Sequence, residues 1–300
     1  MAPRRPHRFH RKRNAGAALL LVLWMIVLLT ALVGAFALTA RVEHMQGQVL
    51  ARGLAADSAA RAGLEYAIHR LALADPRLQW RPDGRPYIWQ YAGAQIEVRI
   101  TDESGKLDLN EADATLLSGL LRALGSDPAE ATRLAGAIID WRDRDSLSQP
   151  SGGAEDVDYA AAGRDYGAKD AAFESIAELE QVLGFTPALY ATIASSVTVY
   201  GRVGRPDPAF APAPVLDAMG MDGERIVEQR AIPDTPGNPG NAGTGFAGGV
   251  GRSGTYSIDS RAQLADGRRS LLRAVVRTEA PGVPGTVYTA LHWEEGASPR

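Results

Sequence analysis

An acidic segment between residues 140 and 170 holds the side chains of this sequence that could do chemistry. Carboxylates on irregular backbone are the oxygen ligands that Ca²⁺ prefers, about six to eight of them at about 2.3–2.6 Å. The segment contains Asp140, Asp143, Asp145, Glu155, Asp156, Asp158, Asp165 and Asp170. We expect the metal ligands to be Asp143, Asp145, Glu155 and Asp158. Since the spacing differs from that of an EF-hand loop, a solvated acidic loop without metal is the alternative.

The rest of the sequence contains no recognisable catalytic centre. Cysteine does not occur, which excludes thiol nucleophiles and Cys-based zinc sites. Neither a Gly-x-Ser-x-Gly motif nor a P-loop occurs, and residues 243–248 match the dinucleotide fingerprint without a predicted strand before them or a helix after them. Residues 102–200 carry 18 Asp or Glu against 7 Lys or Arg, an excess that repels nucleic acid. We therefore expect neither an enzyme nor a nucleic-acid partner.

The first forty residues combine a basic block with a long uncharged run. Six Arg or Lys residues lie between Arg4 and Arg13, and residues 14–40 carry no charge. A run of this length can span the ~30 Å hydrocarbon core of a bilayer as one helix. The basic flank is expected to stay in the cytoplasm, so everything after Ala40 lies on the other side.

The residues around Gly16 leave three interpretations of the N-terminus open. The first is an uncleaved single-pass anchor. The second, a secretory signal peptide, is less favoured because the apolar run is longer than usual and no small-x-small site follows it. The third is a prepilin-type leader, which would be cut on the cytoplasmic side between Gly16 and Ala17.

The helical pattern continues beyond the membrane run as far as Leu73. From Val42 onward, apolar residues recur at roughly helical spacing with charged residues between them. The pair Asp75-Pro76 is expected to end the helix. The far half of such a helix needs a surface to pack on, and a globular domain folded onto it would supply one. A helix that begins in the membrane and ends amphipathic has the shape of a pilin.

Five short segments in the rest of the chain predict β-strands. The segments are residues 86–91, 95–100, 256–263, 270–277 and 287–293. Gly93 joins the first pair and Asp266-Gly267 the second pair, and both are hairpin signals. Residues 233–254 are mostly Gly, Pro, Asn and Ala, and we expect a mobile loop there.

Between these strands, residues 102–200 predict a helical domain. Its helices are expected to begin at capping residues that stand before apolar, periodic runs. The expected caps are Asn110, Asp127, Ser175 and Thr186, and residues 197–200 form a short β run. The pattern predicts a sheet that is interrupted by an inserted helical domain and packed on the end of the long helix.

Motifs along most of the chain resemble those of the minor pseudopilin K family of bacterial type II secretion (GspK). They are Gly16 at the cleavage position, residues 100–110, residues 137–145, Gly153-Ala-Glu155 with Asp158-Tyr159, Tyr166, Lys169-Asp170, Phe173, residues 178–184, Tyr190 and Val197-Thr198. The resemblance implies an α+β pilin fold. In this fold a long transmembrane and amphipathic helix packs on an antiparallel sheet, and an all-helical domain is inserted into the sheet.

The expected domain order follows from this resemblance and from the patterns above. It is a leader at residues 1–16, a transmembrane helix at 17–40, an amphipathic helix with the first strands at 41–101, the inserted helical domain at 102–200, and the remaining strands at 201–300. The resemblance also supports calcium binding, because homologous pseudopilins bind this ion.

The resemblance implies a non-enzymatic role at the tip of the type II secretion pseudopilus, where the protein initiates or caps assembly. The implied partners are the I-type and J-type minor pseudopilins, the prepilin peptidase and the inner membrane, with the C-terminal domain in the periplasm. Leu21 stands where most pilins have Glu, and a tip subunit needs no such carboxylate because nothing stacks beyond it. The alternative function is a membrane-anchored periplasmic binding or hydrolytic protein with an uncleaved anchor.

Overall fold

The computed structural model describes residues 15–75, 77–231, 253–278 and 288–296. These residues belong to two compact units, divided between Ala55 and Ala56. Nearly all of the expected leader, and residues 233–252 of the expected mobile loop, lie outside the described residues.

Helix α1 runs without interruption from Ala15 to Ala72, as the sequence predicts. In the first unit its apolar side chains are exposed throughout the run from Leu19 to Leu54. Within the part of the chain that the structure describes, α1 is the one helix that is long and apolar enough to cross a membrane.

The second unit contains a five-stranded antiparallel sheet in the order β1-β2-β5-β6-β7. The strands are β1 (Asp83–Tyr91), β2 (Ala94–Asp102), β5 (Thr255–Leu264), β6 (Arg269–Arg277) and β7 (Thr289–Glu295). Both predicted hairpins are confirmed. The last strand begins at Thr289, two residues later than expected, and Val287 lies outside the described residues.

The last part of α1 packs on one face of this sheet. Its buried residues, among them Leu64 and Ile68, share a core with Ile96 and Ile258 of the strands. The helix and the sheet approach so closely at Gly63 that a Cβ atom there would overlap Ser260 and Ile96. The predicted arrangement of a long helix packed on an antiparallel sheet is therefore confirmed.

The insert between β2 and β5 has its own hydrophobic core. Its helices are α2 (Ala114–Ala123), α3 (Pro128–Arg142), α4 (Asp156–Ala161), α5 (Pro187–Ile193), α6 (Ala213–Ala218) and α7 (Gly223–Ala231), with short 3-10 helices at Glu103–Gly105 and Ile176–Glu180. It is not all-helical, because β3 (Leu107–Asp108) pairs in parallel with β4 (Val197–Thr198). The β run predicted at residues 197–200 contains β4, whereas the two residues of β3 are too short to show a pattern in the sequence.

The expected end of the insert at residue 200 is wrong. Ala211, Val215, Leu216 and Ile226 are buried in the same core as the earlier helices. The insert therefore continues through α7, and the strands resume only at Thr255. The short helices α6 and α7 lie in and after the Pro-rich stretch at residues 206–214, whose composition hides their helical pattern.

Three of the four predicted helix caps are confirmed and one is wrong. Asp127, Ser175 and Thr186 accept hydrogen bonds from the first turns of their helices. Helix α2, however, is capped by Asp113, which accepts from the backbone N–H of Leu116 at 2.8 Å. Asn110 instead exchanges two hydrogen bonds with the backbone of Phe173, at 2.7 and 3.0 Å. Asn and Asp are equally good caps, so the sequence could not separate them.

Candidate functional sites

Three of the four predicted metal ligands come together in the loop that connects α3 with α4. Asp143 is the C-cap of α3, Asp145 follows it, and Glu155 is the N-cap of α4. Each offers a carboxylate oxygen, and these oxygens all lie within 4.8 Å of one another. The two helix ends therefore hold the cluster in place.

The fourth predicted ligand, Asp158, is used elsewhere. Its Oδ2 atom accepts a hydrogen bond from the backbone N–H of Glu155 at 3.0 Å and so closes the first turn of α4. This local bond turns the carboxylate to the helix backbone, and Asp158 is not part of the cluster. The expectation that Asp158 joins the other three is not met.

Asp140 fixes the backbone of the loop between α3 and α4. It is fully buried on α3 and accepts hydrogen bonds from the backbone N–H groups of Gln149, at 3.2 Å, and Ala154, at 2.8 Å. Burial raises the pKa of its carboxyl group. Gly153 passes so close that a Cβ atom there would overlap this carboxylate. Asp140 therefore holds the loop in its conformation. In the sequence it was only one of eight acidic residues, so this role could not be predicted.

Two buried carboxylate oxygens of this cluster accept no hydrogen bond from the described residues. They are Oε1 of Glu155 and Oδ1 of Asp143. Burial, together with the charges of Asp140, Asp143, Asp170 and Asp156, raises the pKa of Glu155 to about 7. The pKa of Asp143 is raised by burial and then by Asp145 and Asp170. Buried oxygens without donors, crowded by like charges, are a donor set that fits a hard cation.

Trp141 has a structural role. It is buried at the end of α3, among the rings of Tyr159, Tyr166 and Phe173 at centroid distances of 6.0–6.4 Å. Its indole N–H donates to Glu178 at 3.4 Å, and Glu178 also accepts from Lys169 at 2.9 Å. This cluster anchors the acidic loop to the core of the insert.

A second buried polar cluster joins the insert to the sheet. Lys106 Nζ donates to Glu103 Oε1 at 2.7 Å and to Ser257 Oγ at 2.6 Å. The hydroxyls of Ser257 and Thr198 also donate to the Glu103 carboxylate. Glu103 and Lys106 belong to the motif at residues 100–110, and the sequence alone indicated no role for them.

This second cluster is not arranged for catalysis. A Ser–Lys pair can act as nucleophile and base only when the lysine is neutral and accepts the serine proton. Here the ammonium group of Lys106 donates to both neighbours, and the proton of Ser257 is directed at Glu103. The cluster is therefore a structural ion pair, and it gives the alternative of a hydrolytic protein no support.

The residues of the expected leader site lie at the start of α1. Gly16 and Ala17 are in its first turn, and Leu21 is exposed in the uncharged run of the first unit. The predictions about cleavage and about the missing Glu remain predictions. The helix itself fits a single-pass membrane anchor, as the sequence indicates.

Comparisons with known proteins agree on one family. Residues 98–202 match the family model of type II secretion system (T2SS) protein K. Type II secretion system protein K of Klebsiella pneumoniae is 31% identical over 209 residues, an alignment that covers 60% of each chain. The chain thus spans 60% of the length of this curated relative.

A solved structure has the same fold. A chain in the crystal structure of the GspK-GspI-GspJ complex from the enterotoxigenic Escherichia coli type 2 secretion system matches with a TM-score of 0.54 at 16% identity. The match covers 86% of this chain and 99% of that one. The matched residues 98–202 contain nearly all of the motifs that resemble this family in the sequence, so the central part of the chain is similar to protein K of type II secretion systems.

Proposed function

We propose that this protein is a minor pseudopilin at the tip of a type II secretion pseudopilus, where it initiates or caps assembly for protein export across the outer membrane. The observation that carries the proposal is the match of residues 98–202, the central part of the chain, to the protein K family. The single long apolar helix and the sheet packed on its end are what a pilin subunit needs to be held in a membrane before assembly. No enzymatic role is proposed.

The absence of a carboxylate at Leu21 supports a position at the tip. A buried carboxylate in the bilayer costs about 2.5–3.5 kcal/mol on insertion scales unless a cation pairs with it. In a stacked subunit, the terminal amine of a neighbour can supply that cation. A subunit with nothing stacked beyond it has no such partner, so an apolar residue is the stable choice there.

The proposed partners are the I-type and J-type minor pseudopilins, and the first unit offers a surface for them. The sequence analysis assigned one apolar stripe to the helix from Val42 to Leu71. Leu64, Ile68 and Leu71 are buried by the protein's own sheet, whereas Val42 and Val49 stay exposed in the first unit. Exposed apolar residues at this spacing are typical of helices that bundle with other helices.

We expect the full-length chain in detergent to co-elute with the I-type and J-type pseudopilins of the same secretion system. Replacing both Val42 and Val49 by Gln should weaken the complex at least about thirtyfold, because the two changes together remove about 2–4 kcal/mol of apolar burial and each 1.4 kcal/mol is a factor of ten. Glu43→Ala with Gln46→Ala, changed in the same segment, is the matched control. Separation of all three wild-type proteins at micromolar concentration in size-exclusion chromatography would contradict the proposed function.

We also propose that Asp143, Asp145 and Glu155 hold Ca²⁺, with Asp170 close enough to contribute its charge. The support is the pair of buried oxygens without donors and the mutual approach of the three carboxylates. When bound, the ion would neutralise the like charges and tie the end of α3 to the start of α4. Oxygen ligands on irregular backbone favour Ca²⁺ over Mg²⁺, which demands a stricter octahedral geometry.

Calcium should stabilise the native protein against unfolding. If the ion binds only the native state, a concentration of 100 times Kd adds about 2.7 kcal/mol to the free energy of unfolding. Asp143→Ala combined with Asp145→Ala should remove most of this gain, whereas Asp165→Ala, in the same acidic segment but outside the cluster, should keep it. Urea unfolding in millimolar Ca²⁺ and in EDTA measures the gain. Identical unfolding curves in the two buffers would rule the site out.

A further inference from the structure

A cleft of about 620 Å³ lies between the insert and the face of the sheet that α1 does not cover. Strands β2, β5, β6 and β7 supply the floor, and α5 with the residues around it supplies the wall. Sites for small ligands typically measure about 300–1,000 Å³ and carry a few convergent polar groups. The cleft is separate from the proposed cation cluster of Asp143, Asp145 and Glu155, since none of these residues lines it.

The floor carries a row of alternating charges that the strand register sets. Arg99, Asp259, Arg273 and Glu294 are direct neighbours on β2, β5, β6 and β7. The guanidinium group of Arg273, whose side chain is 12% exposed, lies 3.5 Å from Oδ2 of Asp259 and 3.9 Å from Oε2 of Glu294. Both carboxylates on the floor therefore already have a cation.

The remaining carboxylate of the lining is also occupied. Glu103, at the base of the cleft, accepts from Lys106, Thr198 and Ser257. The three carboxylates that line the cleft thus all have partners. No carboxylate of this lining is left without a partner to pair with a cationic ligand.

Several hydrogen-bond donors of the lining, in contrast, have no partner among the described residues. Arg261 lies opposite Glu97 in the register of β5 and β2, but Glu97 already accepts from Arg99 at 2.9 Å. Among the described residues, the side chain of Arg261 makes neither a hydrogen bond nor an ion pair. The hydroxyls of Tyr190 and Tyr200 also make no hydrogen bond to the described residues, and burial raises the pKa of Tyr200, which keeps its proton in place.

We propose that this cleft binds a carboxylate, which pairs with Arg261 and accepts hydrogen bonds from the tyrosine hydroxyls. One unpaired guanidinium group balances one negative charge, and its planar fork matches a carboxylate through two parallel hydrogen bonds. An Asp or Glu side chain in an extended peptide and a free organic acid offer the same group. The site is independent of the proposed assembly role and of the cation cluster.

Isothermal titration calorimetry on the full-length chain in detergent micelles tests the proposal, after passage over a chelating resin so that no metal bridges the acids and no soluble carboxylate competes with the probes. The probes are a capped Ala-Glu-Ala peptide, the same peptide with Gln in place of Glu, and succinate. We expect the Gln peptide to bind about tenfold more weakly than the Glu peptide, as the loss of a charge-assisted pair predicts. Equal affinity for succinate and the Glu peptide identifies a free acid as the ligand, and tighter peptide binding identifies a peptide.

Amino-acid substitutions test whether the peptide binds in this cleft. Arg261→Gln should weaken the binding of the Glu peptide about tenfold, and Tyr200→Phe should weaken it by a smaller factor. Arg122→Gln, an exposed arginine on α2 outside the cleft, should bind as the wild type does. Equal binding of the Glu and Gln peptides, no binding of any acid at millimolar concentration, or equal effects of the two arginine variants would overturn the proposal. Since Tyr200→Phe removes only a hydroxyl group, it keeps the test valid if Arg261→Gln fails to fold.

Discussion

Replacing Lys106 by Ala should lower the free energy of unfolding by about 3–5 kcal/mol, the usual cost of leaving one partner of a buried ion pair behind. Glu103 is only 1% exposed, and the hydroxyl groups of Thr198 and Ser257 cannot neutralise its charge. Since these contacts join the insert to the sheet, the loss affects both parts of the second unit. Urea unfolding followed by tryptophan fluorescence measures the change.

The chain offers a matched control for this prediction. Glu130 and Arg133 form another ion pair at the same i, i+3 spacing, but their side chains are 44% and 39% exposed. Exposed pairs contribute about 0–1 kcal/mol, so Arg133→Ala should have little effect. If the two variants lose the same small amount, the Glu103–Lys106 pair does not join the insert to the sheet in the way that its burial indicates.

Gly16→Val should leave the leader attached and abolish secretion altogether. Gly16 precedes the expected cleavage point, and a residue without a side chain can approach the backbone of a protease more closely than valine can. Intact-mass measurement of the membrane-extracted protein shows whether residues 1–16 remain. Ala18→Val, which adds the same side chain two residues later, should be processed and should support secretion.

The same mass measurement separates the prepilin-type leader from the uncleaved anchor. A wild-type chain that begins at Ala17, with a methylated amine, supports the prepilin-type leader. A wild-type chain that still begins at Met1 supports an uncleaved anchor and would falsify the pseudopilin proposal. Normal processing and normal secretion in Gly16→Val would count equally against it.

Features that depend on neighbouring residues could be predicted from the sequence. The capping box formed by Ser175 and Glu178 and the hairpin around Asp266-Gly267 each involve only a few consecutive residues, and both are present. The helix that ends at Ala72 was predictable because Asp75-Pro76 follows it.

Features that depend on distant residues could not be predicted. Lys106 meets Ser257 across 151 residues, and Thr198 meets Glu103 across 95, so neither contact leaves a pattern in the sequence. At the proposed cation cluster, composition pointed to Asp143, Asp145 and Glu155, which lie together, but could not show that Asp158 is committed to the backbone of α4. The cap at Asp113 was missed for a similar reason, because Asn110 had an equally suitable side chain and a distant partner at Phe173.

The position of the insert has a consequence for how this fold can change. Asp102, at the end of β2, is the direct register partner of Tyr256 on β5, so a tight turn between these two strands would give the same strand order. The hydrophobic cores of the sheet and of the insert share no residue. Because each doubling of a loop's length adds only about 0.6 kcal/mol of closing entropy, a further change in the length of an insert that already has its own core costs little. The insert can therefore lengthen, shrink or acquire new surface chemistry over evolution while the strand order of the sheet that carries it stays unchanged.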